Sequence, residues 1–223
     1  VPSASVSNMR LYLSSVGLGP RRTELTRLAQ GGKRAGVILN AYDFRTPERR
    51  AASLEFEMRE LADLGLEPEE IDLRQWFGRP DGLRETLSGF DVLYVRGGSV
   101  FVLGRALAAS GADRVLPELL AEDAFVYSGY SAGICLLGPT LRGIEGHVDD
   151  PAFVPDGYPD TPTPWDGLGV LPYAIAPHYR SDHPESAEID HTVTYFIDHH
   201  IPFVALRDGE AIVVDDAGTR VVS

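Results

Sequence analysis

Short runs of β-branched and aliphatic residues alternate along this chain with stretches whose apolar positions recur every three or four residues. That alternation predicts α/β architecture, a mostly parallel sheet covered by helices, because strands buried on both faces read as continuous apolar runs. In the first half the strand candidates are Met9 to Leu13, Ala35 to Leu39, Ile71 to Leu73, Val92 to Val95 and Ala124 to Tyr127. Pro47 stands where a first-turn proline belongs, and Ala51, Leu54, Met58, Leu61 and Leu64 then mark one helical face that Gly65 closes. A second helix is predicted from about Val100 to Ala109 with Gly111 after it. A third should run from about Glu188 to His199, with Ile189, Val193, Phe196 and Ile197 inward.

From Gly143 to Gly167 the periodicity stops, and five prolines with several glycines and aspartates predict a long irregular segment of the kind that is usually functional or mobile. Strands return at Gly169 to Ile175, Phe203 to Leu206, Ala211 to Val214 and Arg220 to Val222. Turns are expected at Asp208-Gly209 and Asp215 to Gly218. The 223 residues suffice for one sizeable core and are few for two, so a single domain over 1–223 is expected, with residues 1–8 a trimmed or disordered end outside the fold.

Composition narrows the function. A net charge of -13, with basic residues scattered rather than in a stripe, argues against nucleic acid. No apolar stretch approaches a membrane span, and the lone Cys135 suits a reducing cytoplasm. A monomer or homodimer without cofactor or metal is expected.

The sharpest local signal is Tyr127-Ser128-Gly129-Tyr130-Ser131-Ala132-Gly133, where a strand runs into G-x-S-x-G and then into apolar Ile134-Cys135-Leu136-Leu137. This is the pattern of a nucleophile elbow. A strained strand-to-helix turn leaves no room for side chains at Gly129 and Gly133. It would raise Ser131 above the carboxyl edge of the sheet, with the Ala132 N–H aimed at a bound carbonyl oxygen.

A serine hydroxyl needs a base to take its proton. Of six histidines, His199 and His200 end a helix, His191 lies on that helix's polar side, and His147 falls in the irregular segment. His178 follows the apolar run Ala174-Ile175-Ala176-Pro177 and would share the sheet edge of Ser131 if the strands are parallel; His183 is the second candidate. The carboxylate that orients the imidazole is expected at Asp208, which ends a strand before Gly209, with Glu210 two residues on as the alternative.

These residues resemble the peptidase E (aspartyl dipeptidase) and cyanophycinase group of serine peptidases. The resemblance rests on Val95-Arg96-Gly97-Gly98-Ser99, on Gly129 to Gly133 with Gly138-Pro139-Thr140 after it, on Leu168-Gly169 leading to Ala176-Pro177-His178-Tyr179, and on Leu206-Arg207-Asp208-Gly209. It implies a three-layer α/β/α sandwich like that of class I glutamine amidotransferases (flavodoxin-like). It also implies nucleophile Ser131, base His178, and an oxyanion hole from the N–H groups of Gly98 and Ala132. The implied substrate is a short peptide, a dipeptide with an N-terminal aspartate. The family commonly has Gly-Gly-Asn where this chain has Gly97-Gly98-Ser99, and a glutamate where Asp208 stands. Its basic helix after the histidine corresponds here to Ser181 to Asp198, which holds no Lys or Arg. An acidic substrate residue would want a cation; Arg142 and Arg180 are the candidates, with Ser99 also expected at the substrate.

Three rivals predict different chemistry. An amidotransferase-like binding protein would form no acyl-enzyme. A metal hydrolase built on Asp198-His199-His200 with His183 or His191 would need adjacent helix positions, about 100° apart, to share one ion. An α/β-hydrolase esterase would place its acid before its histidine, whereas His178 precedes Asp208.

Overall fold

The computed structural model describes residues 9–146 and 148–223; the expectations for residues 1–8 and His147 lie outside the described residues. Its elements are β1 (Leu11–Ser14), α1 (Thr23–Ala29), β2 (Arg34–Ile38), α2 (Pro47–Ala62), β3 (Glu67–Glu70), α3 (Leu83–Ser88), β4 (Val92–Val95), α4 (Val100–Ser110) and α5 (Ala112–Ala121). There follow β5 (Val126–Tyr130), α6 (Ala132–Cys135), β6 (Ala174–Ala176), α7 (Ser186–Asp198), β7 (Phe203–Ala205), β8 (Ala211–Asp215) and β9 (Gly218–Val222).

Seven strands form one sheet in the order β3-β2-β4-β5-β1-β8-β9. The first five are parallel, and β8 and β9 close one edge antiparallel. Alternating side chains feed two cores. Leu11, Leu13, Leu93 and Val95 face α3, α4, α5 and α6, while Tyr12, Val92, Tyr94 and Val126 face α1 and α2. Both faces are therefore covered, and the mostly parallel α/β/α sandwich follows.

The expected strand at Ile71 to Leu73 stands at Glu67–Glu70 instead, with a 3₁₀ turn over Leu73–Trp76. This edge strand is polar and carries Pro68, a composition that edges tolerate and that conceals them from pattern reading. Helices α1, α3 and α5 were not predicted; the first two are short, and Pro117 interrupts the signal of the third. In α2, Ala51 is exposed and Leu54, Met58 and Leu64 are only partly buried. The buried positions are Leu61 and, against the apolar pattern, Glu57, which accepts from the hydroxyls of Tyr130 at 2.6 Å and Tyr94 at 3.1 Å.

The predicted strand Gly169 to Ile175 shrinks to β6. Leu168 and Leu171 donate instead to Leu136 and Leu137, so this stretch ties the elbow helix to the chain that follows. Among the described residues, strand β6 pairs with β7 and not with the central sheet, and α7 covers the pair through Ile189, Val193 and Phe196.

Candidate active site

Ser131 leaves β5 with φ 51° and ψ -120°. A non-glycine residue in that region costs on the order of 1–3 kcal/mol, a strain retained where surrounding packing over-determines it. Here the packing is explicit. A Cβ on Gly129 would stand 2.6 Å from the Val95 carbonyl oxygen, and one on Gly133 would stand 2.3 Å from it. Below the turn the Tyr127 hydroxyl donates to the Gly133 carbonyl at 2.6 Å. Helix α6 is only one turn, and the Ser131 carbonyl accepts from the N–H groups of Ile134 and Cys135.

Strand β4 delivers the neighbouring loop. Gly98 has φ 147°, and a Cβ there would lie 2.3 Å from the Ala41 carbonyl oxygen, so no other residue fits. Gly98, Ser131 and Ala132 line one cavity. Ser99, expected at the substrate, caps α4, its hydroxyl accepting from the Val102 N–H and its own N–H donating to Ala41, and its side chain also hydrogen-bonds Asp149 on the cavity wall.

His178 is not delivered by the central sheet, as the parallel-edge argument supposed, but by the separate β6–β7 pair. The Ala176 carbonyl accepts from Leu206 and the Leu206 carbonyl from Tyr179, which aligns the ends of the two strands. His178 and Asp208 therefore emerge side by side, with His178 Nδ1 2.7 Å from Asp208 Oδ1. The imidazole is 2% exposed. Burial lowers its pKa, opposed by the Asp208 carboxylate. An ionised carboxylate only accepts, so Nδ1 carries the proton and Nε2 keeps its lone pair. Glu210 does not reach the ring; its carboxylate accepts from the Arg207 N–H at 2.7 Å and closes its own turn.

Sequence reasoning missed Ser15. β1 runs beside β5 with Ser14 opposite Tyr130, so Ser15 and Ser131 leave the sheet together. The Ser15 hydroxyl donates to Asp208 Oδ1 at 2.8 Å and accepts from the His178 N–H at 2.8 Å. Ser181 adds a further hold, its hydroxyl accepting from the Asp208 N–H. No motif marks Ser15; its place at a strand end beside the elbow strand was the only signal.

Ser131 and His178 line a common cleft of about 370 Å³ with Arg96, Asp149, His183 and Glu185 among its walls. His183 stacks on His178 with ring centroids 3.7 Å apart and accepts from the Glu185 N–H through Nδ1. Burial raises the pKa of Asp149 to about 6, and burial followed by the Glu188 charge raises that of Glu185. Arg142 and Arg180 line neither the cleft nor the cavity; they lie over the rings of Trp165 and Tyr179. Among the described residues, the close group of potential metal ligands is His178, His183 and Glu185, within 4.8 Å of one another, and not the Asp198-His199-His200 set. Also among the described residues, no helix is long and apolar enough to cross a membrane.

Several proteins to which this chain is similar are named as peptidases. Peptidase E of Streptomyces coelicolor is 30% identical over 167 residues, 73% of this chain and 61% of the relative. The "Uncharacterized peptidase Lin0382" of Listeria innocua is 31% identical over 121 residues, 54% of each chain. The "Probable alpha-aspartyl dipeptidase" of Drosophila melanogaster is 25% identical over 154 residues, 67% of this chain and 60% of the relative. The chain thus spans between about half and two thirds of the length of these curated relatives. The fold matches the solved "Putative Peptidase E Protein from Listeria monocytogenes EGD-e" with TM-score 0.75 at 24% identity, over 96% of this chain and 98% of that one. The family model described as Peptidase family S51 matches residues 49–222, a span that takes in the elbow, the histidine and the aspartate, and the chain belongs to that family.

Proposed function

We propose that this chain is a serine peptidase that cleaves short peptides through an acyl-enzyme formed on Ser131. The observation that carries the reading is a strained serine at a βα elbow, opening on the same cleft as a buried histidine whose Nδ1 rests 2.7 Å from a carboxylate.

In this reading Ser131 Oγ attacks the scissile carbonyl carbon while His178 Nε2 takes its proton. The N–H groups of Gly98 and Ala132 hold the oxyanion. Asp208 fixes the tautomer and stabilises the imidazolium. The proton then passes to the leaving amine, the C–N bond breaks, and the acyl group remains as an ester on Ser131. A water, deprotonated by His178, attacks that ester and Oγ recovers the proton. A cleft of about 370 Å³ suits a peptide of a few residues rather than a folded protein.

Intact mass after fluorophosphonate treatment, mapped to a peptide, tests the reading directly. One adduct on Ser131, lost in Ser131→Ala along with dipeptide hydrolysis, supports it. An unlabelled wild type, or a Ser131→Ala variant of normal turnover, overturns it. His178→Ala should be as damaging as the serine change, and His183→Ala mild, because groups acting as a unit fail together.

A further inference from the structure

We infer, resting on the peptidase reading above, that the subsite beside Ser131 takes the substrate's N-terminal residue as a free α-ammonium held against Asp149 and Glu185, with a compact uncharged side chain, and turns away an acidic residue.

The inner cavity that opens beside Ser131 measures about 20 Å³ and is lined by the apolar Cys135, Ile144, Ile175 and Ile189 among others. Only a short side chain enters such a space. Asp149 and Glu185 line both this cavity and the outer cleft, so they stand at the mouth, where the α-carbon substituents of the acyl residue would sit. Asp149 is held there by the Val100 N–H, which donates to its Oδ2 at 2.7 Å. At the cavity wall the Thr192 hydroxyl is buried with no hydrogen-bond partner among the described residues, in a residue 1% exposed. A buried hydroxyl left unpaired is costly, and a small polar ligand atom reaching that wall would satisfy it.

No described lining residue of the inner cavity is Lys or Arg. In the outer cleft two arginines stand on the wall: Arg96, whose guanidinium lies 3.6 Å from the Tyr42 ring centroid, donates through Nε to Ser53 and approaches Glu57 at 3.4 Å, and Arg45, which lies over the Phe44 ring at 4.6 Å. A substrate carboxylate placed in the inner cavity would therefore meet two carboxylates and no lysine or arginine of its lining, while an ammonium would meet complementary charge in a partly desolvated site.

Kinetics on four peptides test this: Ala-Leu, Ser-Leu, Asp-Leu and N-acetyl-Ala-Leu, with fluorophosphonate labelling of Ser131 as an independent check on the catalytic centre. The expected result is kcat/KM at least tenfold higher for Ala-Leu and Ser-Leu than for Asp-Leu, and background hydrolysis of the acetylated peptide. Glu185→Gln should lose about tenfold on Ala-Leu while narrowing the gap to Asp-Leu, with labelling retained to show that the fold and the nucleophile are intact. Asp149→Asn should shift the same ratio. Preference for Asp-Leu, or equal cleavage of the acetylated peptide, overturns the inference and leaves the peptidase reading standing. Labelling of Ser131 without cleavage of Ala-Leu also overturns it. Loss of labelling and of all cleavage overturns both.

Discussion

Ser15 and Asp208, 193 residues apart in the chain, share a hydrogen bond of 2.8 Å that joins the first strand of the sheet to the carboxylate beside His178. Because the same Ser15 oxygen accepts the His178 N–H, one hydroxyl sets the relative position of His178 and Asp208. Ser15→Ala should lower kcat/KM about tenfold with little change in KM, since each bond is worth roughly 1 kcal/mol and the buried His178 N–H is left unpaired. Fluorophosphonate labelling should slow in proportion. Unchanged labelling with reduced stability would reduce Ser15 to a structural role.

The acid is assigned by comparing Asp208→Asn with Glu210→Gln at matched melting temperatures. An asparagine keeps the shape but favours the wrong imidazole tautomer, so kcat should fall on the order of 10⁴-fold. Glu210→Gln, which only loosens a turn, should stay within a few-fold of wild type. The reverse ranking would move the acid to Glu210.

Gly133→Ala should be strongly destabilising, because its Cβ would lie 2.3 Å from a backbone oxygen that cannot rotate away. A loss on the order of 2–4 kcal/mol is expected, as for other steric insults to a packed core. Thermal denaturation measures it, and a melting temperature within a degree or two of wild type would show that the elbow is not sterically fixed.

Asp149 should make stability depend on pH. Its pKa is pushed up to about 6 from an ordinary value of 3.8, so the folded state favours the protonated form. The sign follows: relative to an uncharged side chain, the native state is penalised progressively as pH rises from about 4 through 6. Asp149→Asn should therefore match wild type near pH 4 and exceed it above pH 6, by on the order of 2 kcal/mol. Denaturant melts at pH 4, 6 and 8 measure the difference, and a gap that is constant with pH would remove burial of the charge as its cause.

The pH dependence of fluorophosphonate labelling of Ser131, which needs no substrate ammonium at Asp149 and Glu185, should show an acid limb set by His178. Burial lowers its pKa from 6.5, and the base is active when neutral, so labelling should persist below the pH at which a solvated histidine would protonate. A limb at or above the ordinary histidine value would contradict that environment.

By itself the sequence determined the α/β class, the elbow and the candidate residues, because these are local: continuous apolar runs mark strands buried on both faces, and Gly129 and Gly133 flank Ser131 within one turn. The tertiary structure decided what depends on contacts between distant segments. Asp208 was separated from Glu210 only by the β6–β7 pairing, which sets its carboxylate at Nδ1. Ser15 acquired its position only from the β1–β5 register. Arg142 and Arg180 read as substrate cations because charge is legible in a sequence and direction is not; their side chains turn to aromatic rings away from the cleft. The acidic mouth of the inner cavity was hidden for the same reason, since Asp149 and Glu185 come from an irregular segment and from the start of α7, and only packing sets their carboxylates together beside Ser131.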